Sequence, residues 1–193
     1  MPEAHVQPAP NPTGPLPEGL VWEDVYRAHF KPVWKLLARL GTPKNELEDL
    51  AHEVFLTAFR REDAYDPARP LRPWLFGIAS RLASDHRQRA FVQREDVTDE
   101  VPERAATISG PVAEKAVERR QAQSLLTEVL ASLDGEKRAV FVMHELEGMT
   151  VPDIAKVVDV PVATAYSRLR LARDQFEAAV QRVRARVSHE SAR

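Results

Sequence analysis

The stretch of the chain from Thr150 to Arg173, TVPDIAKVVDVPVATAYSRLRLAR, constrains the fold more than any other segment. The Thr150 hydroxyl and the Asp153 carboxylate, three residues apart, have the spacing of a capping box, which is typical of the start of a helix. Asp159 interrupts the apolar period and, as an aspartate, tolerates a left-handed turn. Pro161 stands where a second helix favours proline, at its start. The stretch therefore predicts two short helices joined by a tight turn.

The second of these helices carries an unusual set of exposed polar side chains. Leu169 and Ala172 have the spacing of an inward face, which leaves hydroxyl and guanidinium groups on the outside. A helix-turn-helix inserts such a helix into the DNA major groove, where arginines contact phosphates or guanine edges. The candidate residues for contacts to duplex DNA are Thr164, Tyr166, Ser167, Arg168 and Arg170.

Charge is distributed unevenly along a chain whose formal net charge is only −2. Acidic residues concentrate at the start of the predicted second helix, at Glu46, Glu48, Asp49 and Glu53. By contrast, the segment 72–94 has five arginines and one acidic residue, Asp85. Such asymmetry predicts that different faces of the protein bind different partners.

The composition excludes several classes of protein. The chain contains no cysteine, so disulfides, thiolate catalysis and cysteine-based zinc sites are excluded. No apolar run approaches the roughly 18 residues of a membrane span, so we expect no membrane insertion. The six histidines lack metal-ligand spacing, and the chain has no nucleotide-binding glycine pattern or nucleophile elbow. We therefore predict a cytoplasmic protein that is not an enzyme and has no metal site or cofactor.

Helical periodicity predicts an all-α fold of two small domains joined by a flexible linker. Residues 1–19 are rich in proline and lack a signal-peptide pattern, so we expect a disordered tail. Three helices are predicted over residues 20–94, with the first ending at Gly41 and the third starting near Pro73. Residues 95–113 show no apolar period and are interpreted as the linker. A four-helix domain with the helix-turn-helix is predicted for residues 114–186, and residues 187–193 are expected to fray.

Two motifs in this order resemble a known family. The segments EDLAHEVF (48–55), DPARP (66–70) and RPWLFGIA (72–79), followed by Asp85-His86, resemble region two of extracytoplasmic-function sigma factors, the smallest class of bacterial RNA polymerase sigma subunits. The second half resembles their region four through Leu133, Val140-Phe141, the EGMT junction (147–150) and the segment from Ile154 to Arg173. The chain departs from the usual pattern at Asp159, where glycine is common, at Arg81, where asparagine is common, and at His52, where glutamine is common.

The resemblance implies that the second helix docks on a helical coiled coil of core RNA polymerase. Asp49 and Glu53 are four residues apart and share a helix face, which suits an arginine-rich partner helix. Without the resemblance, a solvated acidic face would be the simpler interpretation. The predicted residues for polymerase binding are Glu46, Asp49, Leu50, Glu53, Val54 and Phe55.

The resemblance also implies that the loop from Tyr65 and the helix after it meet the minus-ten promoter element. Capture of unpaired bases uses a positive groove with base-stacking surfaces. Trp74 and Phe76 are candidates for stacking, although we expect Trp74 to pack in the core. The predicted residues for minus-ten contacts are Arg69, Arg72, Arg81, Asp85, Arg87 and Arg89. The helix-turn-helix would read the minus-thirty-five element.

The expected function is therefore that of a sigma factor, which directs core polymerase to specific promoters under the control of an anti-sigma factor. Its expected partners are core polymerase, promoter DNA and the anti-sigma factor. Two other interpretations are consistent with parts of the sequence. A stand-alone helix-turn-helix regulator would dimerise and bind an operator tightly without polymerase. A sigma-like adaptor would bind a partner without opening promoters.

Overall fold

The computed structural model describes residues 21–94 and 111–191. Over these ranges the protein consists of helices and turns, without a strand. The predicted tail, residues 1–19, and the linker residues 95–110 lie outside the described residues, as do residues 192–193. The all-α fold predicted from the sequence is confirmed.

The N-terminal bundle consists of three helices, α1 (Trp22–Arg39), α2 (Leu47–Arg60) and α3 (Leu71–Arg94). A short 3₁₀ turn, Glu62–Ala64, follows α2. The helices α1 and α2 each pack against the other and against α3. The buried apolar residues recur every three or four positions, as expected for amphipathic helices. The most deeply buried of them are Val33, Leu36, Leu37, Val54, Leu75 and Phe76.

Gly41 ends α1 in the predicted place, with a φ of +92°. Its amide donates to the Ala38 carbonyl, and the Thr42 amide donates to the Leu37 carbonyl. These bonds satisfy carbonyls that a helix end leaves without partners, and the left-handed backbone they require favours glycine. The helix α3 begins at Leu71, slightly before the predicted start at Pro73, because proline is accepted within the first turn of a helix.

The C-terminal bundle contains α4 (Pro111–Ala131), α5 (Gly135–Phe141), α6 (Val151–Val157) and α7 (Val162–Ser191). A π-helical turn, Val142–Leu146, continues α5. The long helix α7 packs against α4, α5 and α6. Phe141 stacks on Phe176 with ring centroids 4.6 Å apart, in a core that also contains Met143 and Ile154.

Two predicted boundaries of this bundle differ from the structure. The first helix begins at Pro111 rather than near Glu114, so residues 111–113 of the predicted linker are helical. The last helix continues to Ser191, whereas we predicted fraying from Val187. Contacts from α4 support the distal part of α7, since Arg186 forms a bidentate ion pair with Glu128 at 2.6 and 2.7 Å. The apolar pattern and the helix propensity of the last residues do not depend on this tertiary contact, so they could not predict the added length of α7.

Candidate interaction surfaces

The helix α2 presents two carboxylates to solvent, Asp49 and Glu53, which we call the carboxylate face. They are four residues apart and therefore lie on one side of the helix. Within the described residues, no hydrogen bond or ion pair engages either of them. Glu46, which we grouped with them, instead lies against the His86 imidazole of α3. The carboxylate face thus retains two acceptors that are available to a partner.

Leu50 and Val54, which we predicted at the polymerase interface, lie in the core of the N-terminal bundle. Leu50 is 4% exposed and Val54 is fully buried. Both point toward α1 and α3 because they occupy the apolar stripe that holds the three helices together. We therefore assign them a packing role. Phe55 is also largely buried, but its ring borders an open groove.

This groove is an apolar surface feature that the sequence interpretation missed. It has a volume of about 410 Å³ and lies between α1 and α2, beside the carboxylate face. Leu56 and Phe59 are about half exposed, although large apolar side chains usually avoid water. The sequence did contain an indication of the groove. At Phe55, Leu56 and Phe59 the apolar face of α2 is wider than the single stripe that packing against one core requires. The residues that line this aromatic groove are Trp22, Tyr26, His52, Phe55, Leu56 and Phe59.

Contacts among the aromatic side chains fix the shape of the groove. The Tyr26 hydroxyl is 2.9 Å from His52 Nε2, and the two rings are parallel. Trp22 meets Phe59 edge to face with centroids 5.6 Å apart. The indole N–H of Trp22 donates to the Glu62 carboxylate over 2.7 Å. The groove is thus formed before any partner arrives, which reduces the entropy lost on binding.

The six predicted minus-ten residues do not form a single groove. Successive helical residues turn by about 100°, so Arg81, Asp85 and Arg89 share one face of α3, and all three are exposed. Arg72 lies on about the opposite side, where it contacts Glu147 of the C-terminal bundle. Arg87 donates to the Leu40 carbonyl over 2.6 Å and is half-buried. The prediction of one continuous basic groove was wrong, because the arginines are distributed around the helix.

Neither aromatic candidate for base stacking is freely exposed. Phe76 is 1% exposed and packs in the core, with the Arg72 guanidinium 5.0 Å above its ring. Trp74 is half-buried against the core and lies 5.2 Å from the Tyr65 ring. The prediction that Trp74 packs is therefore confirmed. The loop residue Arg69 is exposed and pairs with Asp66 at 3.2 Å.

The helix-turn-helix has the predicted local geometry. The Thr150 side chain accepts from the Asp153 amide, which caps α6. Asp159 has a φ of +56° and forms the left-handed turn before α7. Pro161 lies one residue before the first helical residue of α7 rather than inside the helix. Ala165, Leu169 and Ala172 are buried against the rest of the bundle.

The predicted minus-thirty-five residues lie on the first turns of α7, which we call the recognition helix. Tyr166, Ser167 and Arg170 are exposed, and Tyr166 is 55% exposed despite its large ring. Arg168 is mostly covered and forms a 2.5 Å ion pair with Glu136. Arg170 lies 3.6 Å from Asp174, one turn later, and Thr164 is half-buried. The exposed members, Tyr166, Ser167 and Arg170, form a polar ridge along one side of the helix.

Family models match both bundles of this chain. The model described as "Sigma-70 region 2" matches residues 25–91, which cover α1 to α3. The model described as "Sigma-70, region 4" matches residues 123–176, which cover the helix-turn-helix and the helices before it. Together the two matches include more than half of the 193 residues.

Relatives of known class narrow the family further. The chain is 28% identical to the ECF RNA polymerase sigma factor SigE of Mycolicibacterium smegmatis, over 80% of this chain and 60% of that protein. It is 29% identical to the ECF RNA polymerase sigma factor SigL of Mycobacterium tuberculosis, over 80% of this chain and 86% of that one. The chain belongs to the extracytoplasmic-function class of sigma-70 factors. The matched part of this chain corresponds to about three fifths of the length of SigE and to most of the length of SigL.

Solved structures of sigma factors share the fold. One is CnrH in complex with the cytosolic domain of CnrY, with a TM-score of 0.60 and 23% identity over 83% of this chain and 87% of that chain. Another is RpoE of Bartonella quintana in complex with the anti-sigma factor NepR, with a TM-score of 0.64 and 17% identity over 83% and 96% of the two chains. At identities this low, the two structures show that the fold is shared.

The described residues contain neither a membrane-spanning helix nor a metal-ion site. In the part of the chain that the structure describes, no helix is long and apolar enough to cross a membrane. Residues 21–94 and 111–191 likewise contain no group of three or more histidine or acidic side chains placed to hold a metal ion.

Proposed function

We propose that this sigma factor binds core RNA polymerase through the N-terminal bundle and reads two promoter elements with two separate surfaces. The observation that carries the proposal is the presence of both family regions, in order, on one chain. An exposed carboxylate face and an exposed recognition helix accompany them on different bundles. A protein with this role acts in the cytoplasm and contributes recognition and promoter opening rather than catalysis.

The proposed polymerase-binding surface combines the carboxylate face with the aromatic groove. Asp49 and Glu53 offer charge-assisted hydrogen bonds to basic side chains of a partner helix. Phe59 and Leu56 beside them offer apolar area that is poorly accommodated in water. An apolar centre next to a polar margin is the usual anatomy of a specific protein interface.

The proposed minus-ten surface is the exposed side of α3 that carries Arg81 and Arg89. These guanidinium groups would follow the phosphates of a single strand. The proposed minus-thirty-five surface is the recognition helix, where Tyr166, Ser167 and Arg170 are accessible to base edges and phosphates. Each basic surface is small and the whole chain is slightly acidic, so its affinity for DNA alone is expected to be weak. Attachment of both surfaces to one polymerase raises their effective concentration at the promoter.

We also propose that an anti-sigma factor controls the protein. CnrH was solved with the cytosolic domain of CnrY, and RpoE of Bartonella quintana was solved with the anti-sigma factor NepR. Those two proteins share the architecture of this chain, which supports control by the same kind of partner. The aromatic groove is the exposed apolar surface best suited to compete for such a partner and for polymerase.

Run-off transcription with purified core polymerase tests the proposed function. On a pool of genomic promoter fragments, the protein should induce initiation at a distinct set of start sites. Core binding without initiation would support the adaptor interpretation. Tight operator binding by a dimer, with no binding to core, would support the stand-alone regulator.

Asp49→Arg tests the polymerase-binding surface separately. The substitution should weaken core binding by at least about tenfold, because it puts a like charge opposite a basic partner surface. Glu177→Arg makes the same change in charge at an exposed position of α7 and should leave core binding intact. Unchanged core affinity in Asp49→Arg, with native helicity by circular dichroism, would contradict the assignment.

A further inference from the structure

The two bundles are in direct contact through α3 and α6. A Cβ atom added to Gly77 of α3 would lie 3.5 Å from Val157 Cγ1 and 3.6 Å from the Val157 carbonyl oxygen. Such a Cβ would be in ordinary van der Waals contact with Val157, so the backbone at Gly77 lies close to the helix-turn-helix of the other bundle. The buried residues of the two bundles form one continuous cluster within the described residues.

A buried carboxylate joins the bundles at one edge of this contact. The side chain of Glu147, just after the π-helical turn, is only 4% exposed. One of its oxygens pairs with Arg39 of α1 and the other pairs with Arg72 of α3. A carboxylate withdrawn from water requires such partners, since an unpaired buried charge is strongly unfavourable. We call the three residues Arg39, Arg72 and Glu147 the clasp.

At the other edge, one arginine from each bundle donates to the same carbonyl. The carbonyl of Leu40, at the end of α1, accepts from Arg87 over 2.6 Å and from Arg138 of α5 over 3.2 Å. Arg138 also donates to the carbonyls of Ala131 and Leu133, each at 3.0 Å. Desolvation lowers the pKa of both arginines, which is consistent with their half-buried positions. The negative end of α1 is thus shared between the bundles.

This packed arrangement is too compact for the proposed DNA-bound state. The numbers in their names place the minus-ten and minus-thirty-five elements about 25 base pairs apart. This separation is roughly 85 Å along B-form DNA. A bundle of this size has a diameter of roughly 25–30 Å, so two bundles in contact hold their DNA surfaces much closer together than that. Residues 95–110, which connect them, reach at most roughly 55 Å when extended. The bundles therefore have to separate for both surfaces to engage one promoter.

We propose that the packed arrangement is a closed resting state, in which the clasp occupies Arg72 and Gly135 of the other bundle lies against the Arg87 guanidinium. The inference rests on the proposed function and adds to it a second basic region of α3, since Arg72 and Arg87 lie away from the exposed Arg81 and Arg89 and become available to single-stranded DNA when the bundles separate. One carboxylate oxygen of Glu147 pairs with Arg72 in the position that a DNA phosphate oxygen would otherwise take. Binding to polymerase or DNA then competes with the clasp, and the closed state lowers the affinity of the free protein for single-stranded DNA.

The first test measures the distance between the bundles without polymerase or DNA. The chain has no cysteine, so Asp63→Cys and Ala178→Cys introduce a unique pair of exposed labelling sites for pulsed electron paramagnetic resonance. The otherwise unmodified protein should give one short, narrow distance distribution. Glu147→Gln should shift the distribution to longer and broader distances. Glu145→Gln makes the same change in charge at an ion pair inside the C-terminal bundle, with Arg173, and should preserve the short distance.

The second test measures the affinity of the free protein for a short, mixed-sequence, fluorescein-labelled single-stranded DNA at fixed salt. Glu147→Gln should bind at least about fivefold more tightly than Glu145→Gln, which controls for the added positive charge. Long distances in the unmodified protein, or an unchanged distribution in Glu147→Gln, would overturn the closed state. An opened distribution without tighter DNA binding would overturn the masking of Arg72. Because the distance test needs no promoter, it separates failure of the closed state from failure of the proposed function.

Discussion

Gly41 and Gly148 provide a matched pair for measuring what Arg138 contributes to the fold. Both glycines have a positive φ, +92° and +71°, so a Cβ at either position costs roughly 1–2 kcal/mol of backbone strain. They differ in their surroundings. A Cβ at Gly41 would lie 2.2 Å from Arg138 Nη1, whereas a Cβ at Gly148 meets nothing within 4 Å.

Gly41→Ala therefore displaces the Arg138 guanidinium as well as straining the backbone. The displaced group loses its bond to the Leu40 carbonyl and weakens those to Ala131 and Leu133. Hydrogen bonds of charged donors contribute about 1.5–3 kcal/mol, and water replaces part of this at a half-buried site. We expect Gly41→Ala to destabilise the protein by about 1.5–3 kcal/mol more than Gly148→Ala does.

Urea denaturation of the two variants, followed by circular dichroism, measures this difference in the free energy of unfolding. The same pair in an Arg138→Met background provides the control, because the guanidinium is already absent there. In that background both alanine variants should lose similar stability. Equal losses in the natural background, or an excess that persists without Arg138, would show that the arginine is not held at this helix end.

Three further predictions concern single side chains. Thr150→Ala should lower the stability of the C-terminal bundle by about 1 kcal/mol in thermal denaturation, because it removes the cap of α6; an unchanged midpoint would contradict the cap. Arg170→Ala should weaken binding to duplex promoter DNA in an electrophoretic assay and leave core binding unchanged, because Arg170 is an exposed arginine of the recognition helix; the opposite order would mean that the recognition helix is misassigned. Burial and the nearby charge of Arg72 lower the pKa of His29, so folding should lose stability as pH falls below about 6.5, where the unfolded histidine becomes protonated. His29→Gln should reduce that loss, as measured by urea denaturation at several pH values; an equal loss in the variant would exclude His29 as its source.

The local features of the C-terminal bundle were predictable from the sequence. The Thr150 cap, the left-handed Asp159 and the buried positions Leu169 and Ala172 all depend on residues within a few positions of each other. Capping, turn formation and helical periodicity are short-range effects, so one stretch of sequence contains the information for them. The end of α1 at Gly41 was predictable for the same reason.

Helical periodicity was less informative about the N-terminal bundle. It correctly showed that α2 is amphipathic, but it did not separate core residues such as Leu50 from groove residues such as Phe59. Both kinds are apolar and differ only in whether a neighbouring helix covers them. The same problem affected α3, where a cluster of arginines in sequence is spread around the helix in space.

Local sequence was sufficient for the order of the helices, the turn of the helix-turn-helix and the core-facing residues Leu169 and Ala172 of its second helix. By contrast, the contact between the bundles, the pairing of Glu147 with Arg39 and Arg72, and the uncovered aromatic groove depend on how the helices pack. Glu147 is 108 residues from Arg39 and 75 from Arg72, so no local pattern links them. The physical reason is that periodicity tells which side of a helix avoids water, whereas the position of other helices determines what covers that side.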